Sequence, residues 1–294
     1  MPKMHAGEAD TDADLVRRLV RGQFPQWAGL PVERVASGGT VNAVYRLGSA
    51  LSVRLPLTAG GVRALEHETR WLPELAPGLP VAIPSVAGTG EPAEGFPWPW
   101  AVHRWLDGSP PTEGEAGAGL ARDLAGFVLA LRKTGAPGGP PAYRGGPLAT
   151  LDAATRAAVD ELRRTDEPFD ADAILASWDE SLRAPAWIGP PCRLHADLMP
   201  SNLLVDAAGR LTGVLDFATC GIGDPACDLI PAWNLLPPGA RSAFRDALDA
   251  DAATWLRGRG RALSMAVIQL PYYRSTNPII SANARYTIRS VLEA

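Results

Sequence analysis

The residues with the clearest capacity for chemistry lie between positions 194 and 229. Asp197 and Asn202 stand five positions apart in Leu194-His195-Ala196-Asp197-Leu198-Met199-Pro200-Ser201-Asn202, which runs into the apolar stretch Leu203–Val205. Asp216 follows fourteen residues after Asn202, at the end of Gly213-Val214-Leu215-Asp216-Phe217. A loop with a carboxylate and a carboxamide, followed by a strand returning to a second carboxylate, gathers hard oxygen donors at one point. Hairpin pairing brings Asp216 near Asn202, and such a pair suits Mg²⁺, which keeps several waters and takes few protein oxygens beside substrate phosphates. Asp197, beside that metal, is placed to accept a hydroxyl proton or to orient the hydroxyl for in-line attack on a γ-phosphate.

The elements that must hold these residues can be read from periodicity and turn residues. Residues 11–22 have the pattern of an amphipathic helix, with Thr11 as N-cap and Gly22 at its stop. Three β-branched stretches follow at hairpin spacing: Val32–Ala36, Val41–Leu47 and Leu51–Leu55. Ser37-Gly38-Gly39-Thr40 joins the first two, and Gly48-Ser49 joins the next. A helix is predicted over Ala64–Leu75, then strands at Val86–Gly88 and Trp100–Trp105. Beyond Asp107-Gly108-Ser109-Pro110-Pro111 the chain becomes mainly helical, over about 115–134, 151–164, 171–184, 225–236, 240–249, 251–270 and 276–293. Ala136–Pro147 reads as a Pro/Gly loop, and Leu203–Val205 with Gly213–Phe217 as a small β island. The expected fold class is α+β, with a β-rich lobe over 1–106 and a larger helical lobe over 107–294.

Composition bounds the partners. Hydrophobic residues at 46% and charged residues at 20% describe a folded chain. A net charge of −4 excludes a general nucleic-acid binder, which needs a basic face. There is no apolar run long enough to span a membrane, and the polar, acidic start lacks a signal-peptide core, so a cytoplasmic location is expected. Cys192, Cys220 and Cys227 fit no zinc spacing and read as small buried thiols. Lysine occurs only at positions 3 and 133, so nearly every cation is an arginine.

His195-Ala196-Asp197-Leu198-Met199-Pro200-Ser201-Asn202, followed by Val214-Leu215-Asp216-Phe217 and Gly223-Asp224-Pro225-Ala226-Cys227-Asp228-Leu229, resembles the aminoglycoside phosphotransferase family, with its two-lobed protein-kinase-like fold. The family usually has His-Gly-Asp where this chain has Ala196, a change that matters if the backbone there needs a positive φ. The resemblance implies that Asp197 is the catalytic base, that Asn202 and Asp216 bind Mg²⁺, and that His195 braces the loop. Asp224 and Asp228 are expected to cap a helix start, with Pro225 at its first turn, and to brace the same loop. ATP or GTP is the implied nucleotide. Ser37, Gly38, Gly39 and Thr40 would approach its phosphates, though they also suit an ordinary hairpin turn. Arg54 is the implied phosphate cation, with Glu68 as partner and Glu66 as the alternative. His103, Arg104, Trp105 and Leu106 resemble the hinge that meets the base through backbone groups.

The acceptor is less legible. Positions 1–106 carry 10 acidic and 10 basic groups, and 107–294 carry 22 and 18. Asp160, Glu161, Asp166, Glu167, Asp170, Asp172, Asp179 and Glu180 crowd one helical hairpin, where they would either face a polycation or form a solvated surface. Trp233, Asn234, Tyr272, Tyr273 and Arg274 could line a pocket for a sugar or aromatic ring, or pack in the core. The expected partner is a small hydroxyl-bearing substrate, with no nucleic acid or membrane, acted on by a monomer or homodimer. An antibiotic kinase, a metabolic alcohol kinase of the choline or homoserine type, and a nucleotide-binding scaffold without transfer activity remain open.

Overall fold

The computed structural model describes residues 8–35, 41–134 and 139–293. Ser37, Gly38, Gly39 and Thr40 lie outside the described residues. The chain forms two compact units. The first contains the described residues up to Pro77, with Ala82–Asp107 and Asp216–Ala218; the second contains Gly78–Val81, Gly108–Leu215 and the residues from Thr219 onward.

In the first unit, β1 (Val32–Arg34), β2 (Asn42–Leu47), β3 (Leu51–Pro56), β4 (Val86–Gly90) and β5 (Trp100–Arg104) form an antiparallel sheet in the order β1-β2-β3-β5-β4. The central strand β3 is buried at every position except Arg54, as expected for a strand covered on both faces. Helix α1 (Ala13–Gln23) is capped by Asp12 rather than Thr11, with the carboxylate accepting from Leu15 N at 2.7 Å. Its Leu15, Val16, Leu19 and Val20 pack against Tyr45, Leu47, Val53, Leu55 and Val102. Each such side chain contributes roughly 1.5–3 kcal/mol when fully buried. Helix α2 (Ala59–Leu75) starts five residues before its predicted boundary because Thr58 caps it through Gly61 N. Leu65, Glu68, Leu72 and Leu75 fall on its buried face.

The second unit contains α3 (Ala118–Lys133), α4 (Asp152–Leu162), α5 (Ala171–Leu182), two short antiparallel ribbons and then four more helices. One ribbon pairs β6 (Cys192–Leu194) with β9 (Gly221–Gly223), and the other pairs β7 (Leu203–Val205) with β8 (Leu211–Val214). The helix predicted over 225–236 is broken. A 3₁₀ turn covers Pro225–Leu229, and α6 (Pro231–Asn234) begins anew at a proline that has no N–H to continue the earlier turn. Helices α7 (Pro238–Leu248), α8 (Ala252–Tyr273) and α9 (Pro278–Leu292) complete the unit. Asp251 caps α8 by accepting from Thr254 N at 2.7 Å. Strand β8 stops at Val214, short of the predicted Phe217, and Asp216 has φ +61°, outside the β region.

Candidate active site

In the second unit, β6 delivers the chain into the loop His195–Asn202. Asn202 Nδ2 donates to Asp197 O at 2.9 Å and to Asp197 Oδ2 at 3.1 Å, so the carboxamide fixes both the backbone and the side chain of the expected base. Leu215 N, one residue past the end of β8, donates to Asn202 O at 2.7 Å. His195 is fully buried; its Nε2 meets Leu215 O at 2.9 Å and its Nδ1 accepts from Asp197 N at 3.2 Å. That pattern assigns the ring proton to Nε2 and makes the imidazole a brace for the loop.

The brace has a second half. Buried Asp228 accepts from His195 N at 2.9 Å with Oδ2 and from Ala196 N at 2.8 Å with Oδ1. Burial pushes the Asp228 carboxyl up from its ordinary range, while His195 and the two N–H donors oppose that shift. Ala196 has φ +66°, the left-handed conformation that a side chain disfavours by about 1–2 kcal/mol. This is the condition under which Ala in place of Gly matters. The loop holds it through the Asp228 bond and by packing the methyl group against Ala142, Leu194 and Cys227.

Asp224 caps the 3₁₀ turn at Ala226 N, as expected, but it also anchors two arginines that sequence spacing did not single out. Arg257 Nε meets Asp224 Oδ2 at 2.9 Å and Arg261 Nη2 meets it at 3.3 Å, with both guanidinium groups about 4% exposed. Arg261 in turn donates to the carbonyls of Arg144 and Gly146. These bonds clamp a strap, residues 139–147, along β9: Ala142 N donates to Ile222 O, Ile222 N to Pro140 O and Asp224 N to Gly145 O. The approach requires glycine at two strand positions. A Cβ on Gly221 would lie 2.5 Å from Ala142 N, and one on Gly223 would lie 2.5 Å from Gly145 O. From this strap, Arg144 Nη1 donates to Asp197 Oδ1 at 2.9 Å. Asp197 thus receives Arg144 on one oxygen and Asn202 on the other. The Pro/Gly composition that marked the strap as a loop held no sign of that pairing.

In the first unit, Arg54 Nη1 meets Glu68 Oε2 at 3.0 Å, while Glu66 is exposed. Glu68 Oε1 accepts from Phe217 N at 2.7 Å, so the glutamate also holds the residue after Asp216. Burial pushes the Glu68 carboxyl up, and Arg54 works against that shift. His103 is buried, and neither ring nitrogen has a hydrogen-bond partner among the described residues. Burial first, and the Arg54 charge second, push it down to about 3, so it is neutral at pH 7. Arg104 N is bonded to Ser85 O and Trp105 N to Ala50 O, so those two hinge donors are already used within the unit. Trp105 carries the Arg46 guanidinium over its ring, 3.8 Å from the centroid, and Leu106 follows β5.

Of the residues that could line a pocket or pack in the core, Trp233 and Asn234 are fully buried, in keeping with the second alternative. Trp233 packs on Trp255 at 4.7 Å, and Asn234 Nδ2 donates to Leu198 O at 3.2 Å, supporting the His195–Asn202 loop. Tyr272 and Tyr273 stack edge to face at the end of α8, and Arg274 pairs with Asp166. The acidic hairpin is largely matched by arginine: Arg163 with Asp160 and Asp172, Arg156 with Asp179, Arg259 with Glu180 and Arg285 with Glu167. Asp170 caps α5.

Taken one at a time, the expected donors have the oxygen chemistry that Mg²⁺ takes. In the second unit Asn202 commits Nδ2 to Asp197, which leaves Oδ1 to offer a cation, and in the first unit the Asp216 carboxylate has only a long 3.4 Å contact with Ala218 N. Among the described residues no group of three or more His, Cys, Asp or Glu side chains is placed to hold a metal, so the ion would depend on phosphate and water for its remaining ligands.

An antiparallel sheet with a buried cation–carboxylate pair and a helical unit with an Asp–Asn loop define a kinase-like phosphotransferase. The profile of the phosphotransferase enzyme family matches residues 32–263, and the chain belongs to that family. Its fold is similar to that of aminoglycoside 2'-phosphotransferase-IIIa in a GDP complex, at 17% identity and TM-score 0.70, over 96% of this chain and 99% of that one. It is also similar to macrolide 2'-phosphotransferase MphH from Brachybacterium faecium, at 22% identity and TM-score 0.61, over 94% and 97%. A further similar structure, of an aminoglycoside phosphotransferase, holds GDP and kanamycin, at 18% identity and TM-score 0.69, over 94% and 97%. Among curated proteins, the uncharacterized protein YcbJ of Bacillus subtilis (strain 168) is 41% identical over 44 residues, 15% of this chain and 14% of that protein. Among the described residues no helix is long and apolar enough to cross a membrane.

Proposed function

We propose that the protein transfers the γ-phosphate of ATP or GTP to a hydroxyl group of a small molecule, with Asp197 receiving or orienting that hydroxyl. The observation that carries this reading is the placement of Asp197. It stands on a loop braced by His195, Asp228 and Asn202, with its carboxylate 19% exposed. Asn202 and Asp216 are the proposed Mg²⁺ ligands. When bound, the ion would neutralise charge on the nucleotide phosphates. Arg54, fixed by Glu68, keeps further guanidinium donors for phosphate oxygens, and its planar fork binds such oxygens bidentately where a lysine would act as a point charge. The proposed acceptor is an antibiotic or a metabolic alcohol. The likeness to structures of antibiotic phosphotransferases supports the first class, while the arginine-matched acidic hairpin gives a polycation little free carboxylate to meet.

The test offers ATP and GTP, each with Mg²⁺, against aminoglycosides, macrolides, hydroxy acids and simple alcohols, with phosphate ester detected by mass spectrometry. Ester formation that needs nucleotide and stops on chelation is the expected result. Nucleotide binding with no acceptor phosphorylated would remove the reading.

A further inference from the structure

The pairing of Arg144 with Asp197 has a direction to it. Arg144 uses one nitrogen, Nη1, for both Asp197 Oδ1 and Ala196 O. Its Nε and Nη2 make no hydrogen bond among the described residues, and the side chain is 29% exposed. A guanidinium that serves only to neutralise a carboxylate commonly presents two nitrogens to it, in the parallel fork. Here one nitrogen is engaged and the rest of the fork stays open beside the carboxylate. Tyr143, 79% exposed, lies next to it with its ring 5.2 Å from the guanidinium carbon.

The support behind Arg144 is extensive. Its carbonyl is held by Arg261 and by Cys227 Sγ, its neighbour Gly145 by Asp224 N, and the strap lies along two glycines that leave room for it. A buried network of Asp224, Arg257 and Arg261 therefore positions a strap whose side chain reaches the proposed base. Positioning of that kind suits a group that must meet a ligand in a fixed geometry.

We propose that Arg144 is an oxyanion-binding residue of the phosphotransferase centre, holding an anionic oxygen next to the hydroxyl that Asp197 receives. This rests on the phosphotransferase reading above. Two sources share the chemistry: the phosphoryl group in transit, and a carboxylate or phosphate on the acceptor itself. In both, the open Nε/Nη2 edge takes the oxyanion, and Nη1 keeps Asp197 oriented.

The experiment compares the wild type with Arg144→Met and Arg144→Lys. Methionine keeps much of the aliphatic bulk, and the clamping bonds to residue 144 use its backbone carbonyl, so the fold survives; circular dichroism and a melting curve check this. Turnover is measured with Mg-nucleotide and water alone, then with matched pairs of hydroxy acids and neutral alcohols. If the oxyanion belongs to the acceptor, Arg144→Met loses at least tenfold more in kcat/KM for the anionic member of each pair than for the neutral one, and Arg144→Lys recovers part of that difference. If it is the phosphoryl group, kcat falls tenfold or more for every acceptor, nucleotide hydrolysis included. Unchanged or increased turnover across the set would overturn the proposal and leave the phosphotransferase reading intact. A wild type that turns over no nucleotide contradicts that reading instead. A separate titration with inorganic phosphate at constant ionic strength then decides the inference, because phosphate should raise the melting temperature of the wild type and not of Arg144→Met. Equal shifts would sink it.

Discussion

Two arginine–carboxylate pairs, one in each unit, share a plan and differ in openness. Glu68 receives Arg54 on one oxygen and a backbone N–H, from Phe217, on the other. Asp197 receives Arg144 on one oxygen and the Asn202 carboxamide on the other. The first pair is closed, at 13% exposure for the arginine and 2% for the glutamate. The second is accessible, at 29% and 19%. A charge taken out of water must keep its partner, whereas one left at the surface can exchange its partner for a ligand at little cost. On the proposed function, the closed pair holds Arg54 in one position for the nucleotide phosphates, and the open pair is accessible enough to meet an acceptor.

That contrast can be broken by paired substitutions. Arg54→Met leaves Glu68 buried without its cation and should cost about 3 kcal/mol, the loss expected when one member of a buried pair is removed. Arg144→Met should cost less than about 1 kcal/mol, in line with exposed pairs. Denaturant unfolding of both variants checks the difference. Equal losses would mean that the two pairs do the same structural work.

A pH series sharpens the first half of the comparison. His103 is held down to about 3 from an ordinary 6.5, by burial and then by Arg54. A depressed pKa means that the unfolded chain takes up protons first on acidification. The contribution of neutral His103 is therefore complete above pH 6.5 and lost as the pH falls toward 3. The loss by pH 5 is about 2 kcal/mol. His103→Leu should remove that share of the acid sensitivity and raise stability at pH 7, since two buried nitrogens without partners disappear. Stability curves for wild type and variant that run parallel from pH 7 to 5 would refute the burial argument. Glu68 works in the opposite sense. Its raised pKa makes its contribution complete below its ordinary 4.5 and lost as the pH rises through the folded value, so the wild-type–variant difference is what isolates His103.

The smallest expected effect concerns the loop below the open pair. Ala196→Gly relieves the positive φ, worth about 1–2 kcal/mol, but removes a buried methyl worth about 0.8 kcal/mol and adds freedom to the unfolded chain. The net change in unfolding free energy should stay within about 1 kcal/mol. A larger gain would show that the methyl contributes no packing.

Legibility in the sequence followed the distance over which each feature acts. Asp197 and Asn202 could be read because five residues of spacing and an apolar strand define a loop, and Leu215 returned to Asn202 as hairpin pairing required. Glu68, not Glu66, could be settled only by the buried face of α2. The three-residue strands β6 and β9 carry no periodicity of their own and exist through their pairing with each other and the strap. Arg144 was invisible because it meets Asp197 across 53 residues, from a segment whose composition says only loop. Asp224 and Asp228 were read correctly as cap and brace, but the arginines that Asp224 anchors come from α8, whose glycines and arginines look like any helix surface in an arginine-rich chain.

The central claim is that phosphoryl transfer takes place at Asp197. The direct measurement is a single-turnover reaction with γ-labelled nucleotide and the best acceptor, run on wild type and Asp197→Asn, with nucleotide affinity measured in parallel. Asp197→Asn should transfer phosphate about 10²–10⁴-fold more slowly while binding nucleotide within a few-fold of wild type. Transfer at the wild-type rate in Asp197→Asn would contradict the account.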